Sequence, residues 1–306
     1  MELTHSATNS TKIQWKNTRK QATVTPAATK IQSAPTAAPS SADGNPTTHD
    51  DMNLPRLFDL SGRTAFVTGS TRGIGRAIAL ALAEAGADVV IHGSSDGDRV
   101  KRVRDEVLAH GVQCSVVLKN LADDDAAGYL LSQANEAFGK LDILVTNASV
   151  QIPKPWLEGS REDFELQVNV NLRCTYELIQ LAAPEMQARG WGRILTVGSV
   201  QESKPHPDML VYAATKCAQT SMARNLARQL GPSGITVNNL APGVIGTDRN
   251  IPRLADEDYK KFVLGKIPVG KIGKPEDCAA TALLLCSDAG AYITGQNIYV
   301  DGGMSL

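Results

Sequence analysis

Ser199, Tyr212 and Lys216 are side chains that together could move a proton at a carbonyl oxygen. Tyr212 and Lys216 stand four residues apart, so on a helix they share one face. A tyrosine hydroxyl near its reference pKa of about 10 carries protons poorly at neutral pH. An ammonium fixed one turn away favours the phenolate and lowers that pKa toward the working range. Ser199 precedes the pair at what reads as the end of a strand, where its hydroxyl can meet the same oxygen. The three make an acid, an electrostatic tuner and a hydrogen-bond donor. Tyr-x-x-x-Lys is also an ordinary pairing on amphipathic helices, so the elements around it decide its meaning.

Those elements alternate. Residues 64–69 form a short apolar, β-rich run that ends in a turn, and residues 76–86 form a strong helix closed by glycine. Between them Gly69 permits the tight turn, Gly73 lets a pyrophosphate approach the backbone, and Gly75 permits close helix–strand packing. The phosphates would sit over the helix N-terminus, where free N–H groups and the dipole favour an anion. Further strands read at 87–92, 112–118, 141–147, 192–198 and 235–240. Helical patterns fall at about 98–110, 123–138, 160–189 and 210–230. Such alternation predicts a parallel, doubly wound α/β sheet. Ligands on these sheets bind outside the carboxyl ends of the strands, and Gly69, Asn147 and Ser199 each fall at such an end. Three signals converge on one crevice.

Composition excludes several classes. A formal net charge of −1 gives no basic footprint for nucleic acid or for an anionic membrane surface. No apolar run approaches the roughly 20 residues that span a bilayer. Five cysteines, odd in number and without a C-x-x-C pair, read as structural thiols in a reducing compartment. Residues 1–53 are rich in Thr, Ser, Ala and Pro and lack helical or strand periodicity, so they are expected to be a disordered extension. Five basic residues there, from Lys12 to Lys30, and no acid between Leu3 and Ala42 resemble a transit peptide. A plain solvated tail, with Met52 as an alternative start, is the simpler reading, and a cytoplasmic protein the expectation.

From about residue 57 to 306 the chain resembles a short-chain dehydrogenase/reductase of the compact type. The resemblance rests on Thr68-Gly-x-x-x-Gly-Ile-Gly75, Asn147-Ala148, Asn171, Ser199, Tyr212-x-x-x-Lys216 and Pro242-Gly243, in that order. It implies one Rossmann-type domain over residues 54–306, with about seven strands and helices on both faces. It implies hydride transfer between nicotinamide C4 and a ketone or secondary alcohol, without a metal. Tyr212 would exchange the proton, Ser199 would steady the oxygen, and Lys216 would tune Tyr212 and hold the nicotinamide ribose. Asn171 would kink its helix and hold a relay water. The cofactor contacts implied in the glycine turn are Gly69, Thr71, Arg72, Gly73, Ile74 and Gly75. Later ones are Ser94, Asn120 and Leu121, then Asn147 and Ala148, then Pro242, Gly243, Ile245 and Thr247. The resemblance also implies a homotetramer or homodimer, with helices near 160–189 and 210–230 in one contact and residues 296–306 in another.

NADP(H) is expected over NAD(H), which stays possible. Strand two runs into Gly93, Ser94 and Ser95 with no carboxylate before Asp96 to meet a ribose 2′-OH. Arg72 lies where basic residues of NADP-using relatives meet the 2′-phosphate. Two departures from the family pattern stand out. Ser149 replaces a glycine beside the cofactor, and Asn120 an aspartate near the adenine. His206 and Trp156 border the pocket in relatives, yet read more simply as a surface residue and a packing or interface residue. The stretch 248–267 is the variable lid. Three lines of function compete: a carbonyl reductase or alcohol dehydrogenase, an extended-type sugar epimerase or dehydratase, and a non-catalytic regulator. The segment after Pro242 is too short for the second, and the intact Ser, Tyr and Lys argue against the third. The substrate stays open between a 3-oxoacyl-ACP thioester, met by a basic rim of Arg249, Arg253, Lys260 and Lys261, and a sugar acid or polyol.

Overall fold

Residues 53–306 are described by the structure, a computed structural model; the extension expected over residues 1–53 lies, apart from Asn53, outside the described residues. The strands are β1 (Thr64–Val67), β2 (Asp88–Gly93), β3 (Cys114–Leu118), β4 (Ile143–Thr146), β5 (Gly192–Val197), β6 (Ile235–Pro242) and β7 (Asn297–Val300). The helices are α1 (Leu54–Leu57), α2 (Gly73–Glu84), α3 (Asp98–Leu108), α4 (Ala126–Phe138), α5 (Arg161–Val168), α6 (Cys174–Arg189), α7 (Leu210–Leu230), α8 (Ile251–Leu254), α9 (Glu257–Leu264) and α10 (Pro275–Cys286). Every strand pairing is parallel, and the order is β3-β2-β1-β4-β5-β6-β7. The order reverses between β1 and β4, which is where such sheets open a binding crevice.

β1 explains the layering. Its four residues are all buried, because a strand central to a parallel sheet is covered on both faces. Ala65 and Val67 join one apolar cluster with Ile78 and Leu82 of α2 and Val103 of α3. Phe66 points the other way, into a second cluster with Leu130 of α4, Leu178 of α6 and Ala223 of α7. Strict alternation along a strand makes this division of one sequence between two cores.

The helix expected over 160–189 is interrupted. α5 and α6 are joined by a π-helical turn, Asn169–Arg173, that inserts one wide loop of backbone at Asn171. A π turn leaves a main-chain carbonyl free for another partner, and such turns gather at functional sites. β6 runs on to Pro242, past the end expected at 240, because Ala241 and Pro242 pair with Tyr299 and Val300 of β7.

Candidate active site

The crevice collects the ends of β1, β4, β5 and β6, the start of α7 and the lid of α8 and α9 around a cavity of about 260 Å³. β5 ends at Val197, and Ser199 caps the short turn that follows. The Ser199 N–H donates to Glu202 Oε1 at 2.9 Å, while its hydroxyl accepts from the Gln201 N–H at 3.2 Å. Glu202 is anchored in turn: Thr220, Asn239 and Asn297 donate to its carboxylate at 2.6, 3.1 and 2.8 Å. The composition of this carboxylate cluster gave no sign of its role, since its partners lie far along the chain.

Tyr212 and Lys216 occupy the first two turns of α7 on one buried face, as their spacing predicts. Lys216, only 1% exposed, donates from Nζ to the Val197 carbonyl at 2.6 Å and to Gln219 Oε1 at 3.0 Å. Gln219 Nε2 donates to the Asn171 carbonyl at 2.5 Å, the carbonyl exposed by the π turn. Lys216, Gln219 and Asn171 are thus one hydrogen-bonded chain through a fully buried amide. The Asn171 carbonyl, the atom that the π turn frees, takes one donor from Gln219. The Asn171 side chain is itself consumed in structure, accepting from the Val150 N–H and donating to the Val150 carbonyl, both at 2.8 Å.

The electrostatics differ from the simple expectation. Burial pushes the Tyr212 hydroxyl above its ordinary value, against the pull of the Arg249 charge and of hydrogen bonds with Ser199 and Ser149. Burial, reinforced by the Arg249 charge, draws the Lys216 ammonium down to about 7. For Tyr212, Arg249 and the Ser199 and Ser149 hydroxyls draw the pKa down. Lys216 Nζ lies 5.7 Å from the Tyr212 ring centroid and is spent on Val197 and Gln219.

The glycine turn is built for close approach. Gly69 and Gly73 adopt φ of 64° and 54°, a region costly to residues with a Cβ. A Cβ on Gly75 would collide with Asn147 Nδ2 and the Gly69 carbonyl. Arg72 precedes α2 without capping it, so the first N–H groups of the helix stay open toward the crevice. That is the donor set a pyrophosphate takes, and a dinucleotide fits these residues. Asn147 locks the turn, donating from Nδ2 to the carbonyls of Thr68 and Gly69 at 2.9 and 3.2 Å. His92, which sequence reasoning treated as a strand end, does the same from the other side. The Gly69 N–H donates to its Nδ1 at 2.9 Å, and its Nε2 lies 2.9 Å from the Lys119 carbonyl. Burial lowers its pKa, which keeps Nδ1 available as an acceptor.

Of the expected contacts, Gly69, Arg72, Gly73, Ile74, Gly75 and Asn147 line the cavity, as do Ser199, Tyr212 and Lys216. Pro242, Gly243, Ile245 and Thr247 line it from the β6 side. Thr71, Ser94, Asn120, Leu121, Ala148 and Asn171 are not among the lining residues. Leu121 packs in the core, and Asn120 Oδ1 accepts from its own turn at the Ala122 N–H. Ser94 is exposed beyond the end of β2. His206 does line the cavity, contrary to the simple surface reading, whereas Trp156 is 69% exposed and outside it.

Residues 68–305 match a family model described as enoyl-(acyl carrier protein) reductase. The 3-oxoacyl-[acyl-carrier-protein] reductase of Aquifex aeolicus is 38% identical over 80% of this chain and 98% of its own length. The chain is a short-chain dehydrogenase/reductase. Gluconate 5-dehydrogenase of Gluconobacter oxydans is 33% identical, covering 83% of this chain and 99% of its own. A crystal structure of a 3-oxoacyl-(acyl-carrier-protein) reductase from Agrobacterium tumefaciens C58 with NADP bound superposes with a TM-score of 0.80 at 39% identity. That match covers 84% of this chain and 99% of the other. This short-chain dehydrogenase/reductase is thus an oxidoreductase of the kind that interconverts ketones and secondary alcohols with a nicotinamide cofactor.

Proposed function

We propose that this reductase uses Tyr212 as the acid–base group and NADP(H) as the favoured cofactor, on a small carbonyl or alcohol substrate. The observation that carries the reading is the meeting of Ser199, Tyr212 and Lys216 with the glycine turn on one cavity. NADPH, when bound, supplies the hydride that reduces the carbonyl carbon. Tyr212 then gives its hydroxyl proton to the carbonyl oxygen, and in the reverse direction takes the alcohol proton. Ser199 donates a hydrogen bond to the same oxygen and stabilises its developing charge. Lys216 ties the first turns of α7 to the end of β5 through the Val197 carbonyl and, through Gln219, to the π turn at Asn171. The proton given up by Tyr212 returns from solvent.

The open N–H groups of α2 would hold the pyrophosphate, and Arg72 the 2′-phosphate. Asp96, the first carboxylate after β2, accepts from the neighbouring Gly97 N–H at 2.7 Å and caps its own loop. NAD(H) is used less efficiently. Both acyl-carrier-protein thioesters and sugar acids suit the proton chemistry. A screen of ketones and alcohols with both cofactors tests the reading; NADPH consumption with no carbonyl compound would overturn it.

We place the enzyme in the cytoplasm as a homotetramer. All five cysteines are free thiols, as a reducing compartment keeps them. Phe164, Tyr176 and Leu181 stand exposed on α5 and α6, and Tyr292 and Leu306 near the C-terminus, which supports two separate contacts between copies. A monomer by analytical ultracentrifugation, or a fluorescent fusion gathered in an organelle, would overturn the respective assignment.

A further inference from the structure

We propose that Arg249 makes this cavity selective for substrates bearing a carboxylate close to the reacting carbon, that is, oxo acids and their hydroxy acids. The proposal rests on the reading of the cavity as a carbonyl-reducing site and names what that site selects.

Arg249 enters the cavity from the segment between β6 and α8. Its NH2 donates to the Ser149 carbonyl at 2.8 Å, and NH1 and NH2 both lie 3.3 Å from the Ser149 hydroxyl. NH1 is 3.5 Å from Gln151 Oε1. Every one of these acceptors is neutral, and all but the first contact are long. Among the described residues Arg249 has no carboxylate in ion-pair distance. A guanidinium offers five N–H donors in a planar fork, so donors remain for a planar carboxylate.

The neighbouring charges sharpen the point. Asp248 is the one carboxylate among the described residues lining the cavity, and it pairs with Arg99 at 3.3 Å. Arg253 lies over the Tyr259 ring at 4.5 Å and Lys266 over Phe262 at 4.0 Å, so these lid cations are already engaged. Lys260 pairs with Glu257 at 3.1 Å. Arg249 is left as the uncompensated cation at the reacting end. Its distance from the chemistry is short: Ser149, which holds the guanidinium, lines the same cavity as Tyr212, and both Ser149 and Arg249 act on the Tyr212 hydroxyl. A carboxylate seated on Arg249 would therefore bring a carbonyl beside it to the Tyr212 hydroxyl. The departure at Ser149 acquires a reason, since a glycine there would leave no hydroxyl for Arg249 or Tyr212. An acyl-carrier-protein thioester has no charge beside its reacting carbonyl and would gain nothing from this arginine.

The test compares NADPH-dependent reduction of acetoacetate and levulinate with that of their ethyl esters, in wild type, R249A and R249K. Wild type should favour the acids. R249A should lose about 10–100-fold more in kcat/KM on the acids than on the esters, the excess appearing chiefly in KM. R249K should recover part of the loss, and rising salt should erode the wild-type preference. NADP+ binding by calorimetry reports whether the variant is folded; the wild-type acid-to-ester ratio stands without any variant. A wild type that prefers the esters, or an R249A loss equal on both members of a pair, overturns the proposal and leaves the carbonyl-reductase reading intact. Activity on neither member of any pair overturns both.

Discussion

Tyr212 is a buried phenol whose neighbours pull in opposite directions, and the sign of each pull is measurable. Oxidation of an alcohol needs its ionised form. Burial raises its pKa from the ordinary tyrosine value, so kcat/KM for oxidation should still be climbing at alkaline pH. Removing the Arg249 charge removes a lowering influence, so in R249A the rising limb should move to higher pH. A wild-type plateau near neutrality, or an R249A limb shifted to lower pH, contradicts this assignment. Gln219 gives a second prediction at this scale. Gln219→Leu leaves Lys216 Nζ and the Asn171 carbonyl each short of a buried partner. The cost of about 1–3 kcal/mol predicts a roughly 5- to 100-fold fall in turnover with NADP+ affinity preserved. Equal turnover in wild type and variant would remove Gln219 from the groups that position Lys216. That Ser199, Tyr212 and Lys216 meet on one cavity was legible because their types and short spacing suggest a shared chemistry. Gln219 was not, since a glutamine on a helix says nothing until the π turn, 48 positions away, aims a carbonyl at it.

At the scale of elements, the β1–α2 turn determines how the cofactor is held. Its glycines were readable because only residues without a Cβ tolerate the backbone angles and the contact with Asn147. Its braces were not. His92 and Thr68 hold the turn through hydrogen bonds that β-strand propensity does not encode. The break between α5 and α6 was expected only from the resemblance, as a kink at Asn171; α5 buries only Gln167, so no apolar periodicity marks where it ends. Arg72 stands exposed at the mouth of the turn with no ion pair among the described residues. Arg72→Ala should lower kcat/KM with NADPH by about 10–100-fold, the worth of a charge-assisted phosphate contact, while NADH is little affected. A wild-type ratio favouring NADH, unmoved by the substitution, would place the 2′-phosphate elsewhere.

For the whole molecule, strand–helix alternation gave the parallel sheet, since buried strands and amphipathic helices differ in period. The position of the crevice then followed from a general rule of such folds, while the strand order was seen only in the structure. The lid's contribution did not, because α8 and α9 carry mixed charges whose partners are fixed only in three dimensions. Among the described residues, the members of the two apolar cores run from Leu60 to Val300. A chain beginning at Met52 should therefore keep the melting temperature and kcat/KM of the full chain; a clear drop in either would show that the preceding residues pack on the domain. The central claim is that this molecule reduces carbonyl compounds with Tyr212 as the proton donor. Its most direct test is single-turnover NADPH oxidation by wild type and Tyr212→Phe on the best substrate from the screen. The variant should bind NADPH as tightly as wild type, yet turn over about 10²–10⁴-fold more slowly, because only the transferring oxygen is gone. Near-normal turnover in Tyr212→Phe would contradict the account.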